Sequence, residues 1–163
     1  MPYWIRIIRY MGSNCLALTF IVVVVVLIPM TKNGVRILLF EGPQLFHHVI
    51  CPALSVISFG LFEDGKPTHK DALFAALPTL VYAIVTVILN YAKLLDGPYP
   101  FLKVYEQSIF ASIFWFISIV GISYVLAYLI KLLTKFKGEN AKKDDNNTDT
   151  NNNTKITEAE EMV

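Results

Sequence analysis

Residues 45–54 read LFHHVICPAL, placing two imidazoles, a thiol and a proline in ten residues of an otherwise apolar stretch. An imidazole that titrates near physiological pH can act as a base, a proton shuttle or a metal ligand. Adjacent positions on a helix point about 100° apart, so His47 and His48 cannot face the same partner. His48 shares a face with Cys51, Pro52 and Ser55, and His47 shares one with Cys51, Leu54 and Ser58. Pro52 has no N–H, so the carbonyl of His48, four residues back, loses its helical donor and the helix is expected to kink there. No metal site and no cofactor is expected: adjacent histidines lack i, i+4 spacing, and no third histidine or paired cysteine shares their face.

The element that carries these residues follows from composition. The chain has 163 residues, 55% apolar and 17% charged, with a mean hydropathy of +0.52. Soluble domains sit nearer to about 25% charged. The charge is also unevenly placed: windows 10–31, 42–62, 72–92 and 107–130 contain no Asp, Glu, Lys or Arg. Roughly 20 apolar residues at 1.5 Å each cross a hydrocarbon core. FIVVVVVLI at 20–28 is apolar at every position, which excludes the two-residue alternation of a membrane barrel. Lipid makes the backbone satisfy its own hydrogen bonds, so the valine run reads as helix.

The expected fold is therefore all-α, a polytopic transmembrane helical bundle. Its four spans at about 10–31, 43–62, 72–93 and 107–133 form one domain over 1–137. The segment 138–163, rich in Asn, Thr, Asp, Glu and Lys, has almost nothing to bury and reads as a disordered cytoplasmic tail. A net charge of +1 gives no reason to expect a nucleic-acid partner. Cys15 and Cys51 both fall inside spans and read as small buried hydrophobes. The first span ends in IPMTKNG without a small-x-small cleavage site, so it reads as a retained span rather than a signal peptide.

Lysine and arginine set the orientation. With the N-terminus inside, that face collects Arg6, Arg9, Lys66, Lys70, Lys131, Lys135 and Lys137, against Lys32, Arg36, Lys93 and Lys103 outside. Seven against four places both termini on the cytoplasmic side of the plasma membrane. Tyr3, Trp4 and Tyr10 with two arginines suit an interfacial helix or a segment before the first span. VRILLF in the first connector is expected along the interface. Pro29 and Pro78 are candidates to bend spans one and three. Ala72, Ala75, Ala76, Ala111 and Gly121 read as helix-packing positions.

On this topology His47 and His48 lie in the first two turns of span two, on the outer face. Asn90 and the connector 96–106 share that face. The expected polar cluster is His47, His48, Asn90, Asp96, Tyr99, Tyr105 and Glu106; His69 lies on the opposite side. An interfacial histidine is also simply an amphipathic group near the headgroups, and DGPYP is also simply a turn. An ionisable group inside a bundle beside a proline-freed carbonyl nevertheless points to function.

LFHHVICPALSVISFGLFE, then DALFAALPTLVYAIVTVILN, then DGPYPFLKVYEQ resembles the bacterial branch of a six-span membrane family related to the androgen-induced membrane proteins of animals. The resemblance covers roughly residues 5–135. Its most specific elements are H-x-x-x-P, His48 to Pro52, and G-P-Y-P-F, Gly97 to Phe101. It implies that this chain corresponds to the last four of six spans, with two N-terminal helices missing. It also implies a threonine-dependent hydrolase of fatty-acid esters, with the family histidine on His48 or, as second choice, His47. The family threonine lies in an early helix without a secure match here; Thr19, mid-way along span one, is the available hydroxyl. Such a hydroxyl needs a base within about 2.6–3.2 Å to become a nucleophile.

A second reading is non-enzymatic. Away from their ends, the spans hold no carboxylate, lysine or arginine of the kind that ion-coupled carriers use. An accessory subunit, or a truncated family member completed by another chain or by a second copy, then fits better than a transporter. In either reading the expected partners are membrane lipids.

Overall fold

The computed structural model describes residues 2–63, 67–95, 99 and 102–160, with side chains through Thr134. Every regular element among them is helical. Helix α1 covers Tyr3–Met30, α2 Phe46–Phe62, α3 His69–Tyr91 and α4 Ile109–Glu160. Helices α1, α3 and the Ile109–Thr134 part of α4 are each long and apolar enough to cross a membrane. Helix α2 is a shorter apolar helix. The protein is thus an all-α membrane-type bundle.

Two boundaries differ from the sequence reading. The window opening at residue 42 loses its first residues to a turn, because Gly42 adopts a positive φ of 58° and Pro43 follows it. At the other end of the chain, α1 begins at Tyr3, so Arg6 and Arg9 are helical rather than part of a separate interfacial segment. Tyr3 and Trp4 are exposed, as interfacial aromatics should be. Tyr10, read with them, is instead fully buried. Its ring stacks on Phe59 at 4.9 Å between centroids, and its hydroxyl donates to the Ala127 carbonyl.

Prolines shape two helices through π-turns. Val23–Leu27 and Phe46–Ile50 are π-helical, and each runs directly into a segment carrying a proline in its first turn, Pro29 and Pro52. A carbonyl four residues before proline has no helical donor, here that of Val25 and that of His48. Both lie within the π-turns, in which Ile28 N–H reaches the Val23 carbonyl and Cys51 N–H that of Phe46. Pro78 sits inside α3 without interrupting it.

Helix α3 starts on a capping box: the Thr68 hydroxyl accepts from Asp71 N–H at 3.2 Å, while the Asp71 carboxylate accepts from Thr68 N–H at 2.7 Å. Its buried face is Ala72, Ala75, Ala76, Thr79, Ala83, Thr86 and Asn90, at helical spacing. Leu73, Phe74, Val81, Val85 and Ile88 point outward. Small and polar residues inside with large apolar residues outside is the pattern of a lipid-embedded helix. Ala111 is half-buried, whereas Gly121 is exposed with nothing near the place of a Cβ, so it is not a packing position.

Helices α2 and α3 each pack on both α1 and α4. One end of the bundle gathers the charges. Arg9 pairs with Glu63 at 3.1 Å and donates to the Ser58 hydroxyl at 3.2 Å, Tyr3 donates to Asp71 at 2.6 Å, and His69 stacks on Tyr128. Residues 31–45, 92–95 and 102–108 lie at the other end. Beyond Thr134 the backbone of α4 continues as helix to Glu160. The composition of 138–163 provides no apolar stripe to hold a helix against a neighbour, which is why the sequence alone reads as disordered there.

Candidate functional site

His48 is half-buried in the π-turn of α2, and its Nδ1 lies 2.8 Å from the Leu38 carbonyl. A carbonyl only accepts, so Nδ1 carries the proton and the neutral ring keeps its lone pair on Nε2. The contact ties the π-turn Arg36–Phe40 of the first connector to α2. His47, one position earlier, is exposed.

The rest of the expected cluster is organised around α3 and its connector. The Asn90 amide donates to the Leu95 carbonyl at 3.1 Å and its oxygen accepts from Val104 N–H at 2.9 Å. Tyr105 donates to the Tyr91 carbonyl and its ring stacks on that of Tyr91. Glu106 pairs with Lys103 at 2.9 Å. Asp96 and most of GPYPF lie outside the described residues. Among the described residues, His48 bonds Leu38 while Asn90, Tyr105 and Glu106 bond within their own connector and its flanks. Asn90 folds back on its own connector, and α2 and α3 meet chiefly through α1 and α4.

Thr19 is not paired with a base. Its hydroxyl donates to the Cys15 carbonyl four residues back at 3.0 Å, an ordinary arrangement for a helical threonine. It does, however, border a partly open cavity of about 470 Å³ between α1, α3 and α4. Helix α1 contributes Cys15, Leu18, Thr19 and Val22, and α3 contributes Pro78, Thr79, Tyr82 and Ala83. Ser112, Trp115, Phe116 and Ile119 come from α4, and Leu102 and Val104 cover the connector end. Among the described residues, no Asp, Glu, Lys, Arg or His borders it. Tyr99 also lines it, and burial, with Tyr82 nearby, pushes its phenol above the ordinary range.

Beside this cavity runs a buried polar chain that the sequence reading passed over. Asn14, fully buried in α1, donates through its amide to the Ala75 carbonyl at 3.1 Å and to the Ser123 hydroxyl at 2.9 Å. Ser123 donates to Thr79 at 2.9 Å. Three helices are thereby joined by neutral groups in the middle of apolar spans. Asn14 Oδ1 and Ser112 Oγ are buried without a partner. The available signal was Asn14 itself, an amide inside a charge-free window.

The fold defines a multi-pass helical membrane protein with a cavity that, among the described residues, has no charged lining; nor do those residues include a His/Cys/Asp/Glu group able to hold a metal. No family model, no curated protein and no solved structure matches the chain.

Proposed function

We propose that this is a non-enzymatic membrane protein that holds an apolar chain of a lipid in the cavity between α1, α3 and α4. The observation that carries this reading is the wall: a space of about 470 Å³, within the usual range of ligand sites, bordered by aliphatic, aromatic and neutral polar groups. A molecule dissolved in the bilayer can enter it from the side. The lysine and arginine asymmetry supports a plasma-membrane protein with both termini cytoplasmic, which puts the cavity in the outer half of the bundle.

The test uses the two tryptophans of the chain. Trp4→Phe leaves Trp115, in the cavity wall, as the only indole. A single-chain lipid brominated along its chain should quench Trp115 saturably in purified protein, and Ala83→Phe should abolish that quenching by filling the space. Quenching that never saturates, or that ignores Ala83→Phe, sinks the reading.

One observation favours the hydrolase expected from the family resemblance. The Leu38 carbonyl fixes the His48 tautomer and leaves Nε2 as a base. Against it, Thr19 is bonded to backbone and His48 does not border the cavity. Incubation of the full-length protein with long-chain esters decides: turnover lost in His48→Ala restores the enzyme, and equal turnover by both removes His48 from catalysis.

A further inference from the structure

A second recess lies between α1 and α2 and shares no residue with the lipid-chain cavity. It is partly open and holds about 210 Å³. Arg9, Gly12, Ser13 and Leu16 border it from α1, and Ser55 and Ser58 from α2.

Both helices place it at the edge of the hydrocarbon. The charge-free window of α1 begins at Tyr10, directly after Arg9, and that of α2 ends at Phe62, directly before Glu63. Leu16 stands seven residues deeper than Arg9, about 10 Å along the helix axis. Headgroups and interface add roughly 5–8 Å to each face of the hydrocarbon core. The recess therefore runs from headgroup depth to the start of the acyl chains.

Its chemistry is graded the same way. The Arg9 guanidinium is held by Glu63 at 3.1 Å and by the Ser58 hydroxyl at 3.2 Å, while its side chain stays 30% exposed. Glu63 is buried and is not among the residues that border the recess. A guanidinium carries five N–H donors in a planar fork that matches two oxygens of a phosphate. Because Arg9 already shares its charge with Glu63, a singly charged diester suits it better than a doubly charged monoester. One turn deeper, the Ser13 and Ser55 hydroxyls pair across the helices at 2.9 Å, and Leu16 lies at the inner end. At about 30 Å³ per non-hydrogen atom the space holds on the order of seven, a phosphodiester with its flanking carbons.

We propose that this recess binds the phosphodiester of a membrane phospholipid, with the phosphate on Arg9, the glycerol ester oxygens beside Ser13 and Ser55, and the chains leaving past Leu16 into the bilayer.

The experiment titrates delipidated full-length protein in maltoside micelles and follows bound ligand by native mass spectrometry. Dioctanoyl phosphatidylglycerol and dioctanoyl phosphatidylcholine share the phosphodiester; dioctanoylglycerol lacks it; glycerol phosphate and inorganic phosphate lack the chains. Both phospholipids should bind about tenfold more tightly than dioctanoylglycerol, the factor expected for one charge-assisted bond. Gly12→Leu is the decisive variant. Gly12 is exposed and a Cβ there meets nothing within 4 Å, so the new side chain enters the recess without displacing a neighbour. It should weaken both phospholipids about tenfold and leave dioctanoylglycerol unchanged. Arg9→Lys keeps a cation for Glu63 but loses the fork, and should weaken both phospholipids at unchanged helical circular dichroism. Dioctanoylglycerol that binds as tightly as the phospholipids, or phospholipid binding untouched by Gly12→Leu, overturns the site. Inorganic phosphate that displaces the phospholipids at equal concentration assigns the recess to a free anion and overturns the lipid assignment. Quenching of Trp115 reads the other cavity separately, so either proposal can fail without the other.

Discussion

Replacing Ser123 with alanine removes one oxygen, yet it should weaken the bundle measurably. The hydroxyl is fully buried, accepts from the Asn14 amide at 2.9 Å and donates to Thr79 at 2.9 Å. Interhelical hydrogen bonds in membrane proteins average about 0.6 kcal/mol, with a ceiling near ~1.7. Two of them give about 1.2 kcal/mol, and the small void left by the oxygen adds lost contacts. Part is recovered, because Asn14 keeps the Ala75 carbonyl at 3.1 Å. The expected loss is about 1–2 kcal/mol. Asn14→Ala alone is a poorer probe, since it also removes the partnerless Oδ1 and relieves a desolvation penalty of about 1–3 kcal/mol. The double-mutant cycle isolates the shared bond. Reversible unfolding in mixed micelles of rising dodecyl-sulfate fraction, followed by helical circular dichroism, should give a coupling of about 0.6–1.7 kcal/mol between Asn14→Ala and Ser123→Ala. Ser123→Ala combined with Thr68→Ala, at the charged end, should be additive. A coupling for the first pair inside the ~0.3–0.5 kcal/mol scatter of independent sites refutes the network.

The same unfolding assay reads three further substitutions. Tyr10→Phe keeps the stack on Phe59 but removes the hydroxyl's bond to the Ala127 carbonyl, for a loss of about 1 kcal/mol. Thr68→Ala removes the α3 cap and should cost about 0.5–2 kcal/mol; no loss would mean that the capping box does not hold the start of α3. Gly34→Ala would set a Cβ 2.5 Å from the Ile28 carbonyl oxygen, backbone that cannot simply swing aside, so a loss of about 1–3 kcal/mol is expected and neutrality would refute the turn geometry. His48→Ala releases Leu38, so amide exchange should accelerate in 36–40 while the middle of α3 keeps its protection; unchanged exchange in 36–40 would show that the histidine does not tether the connector.

The helices were legible because charge is forbidden in lipid unless it is paired, and windows empty of charge mark three of them well. Where the reading slipped, a partner far along the chain was responsible. Arg6 and Arg9 looked like the end of a span, but Glu63 reaches Arg9 from the far side of α2 and lets the helix begin earlier. Tyr10 looked interfacial because aromatic residues beside arginines usually are; Phe59 and the Ala127 carbonyl, 49 and 117 positions away, bury it instead. No periodicity in α1 encodes either contact.

The histidines drew attention because they are the conspicuous ionisable groups near span two, and an ionisable group near lipid is rare. Rarity measures cost, and His48 meets that cost locally by bonding the connector that passes over it. Asn14, Thr79 and Ser123 are individually unremarkable, since a lone hydroxyl or amide inside a span commonly bonds its own helix, as Thr19 does. They become informative only jointly, when three helices turn them toward one another beside a cavity. That juxtaposition depends on helix rotation, which the apolar pattern fixes poorly, because both lipid and neighbouring helices accept apolar faces. Small residues fix it better: the run Ala72, Ala75, Ala76, Thr79 and Ala83 marks the face of α3 that neighbouring helices can approach closely. Thr79 belongs to that face, so the polar chain had to be internal.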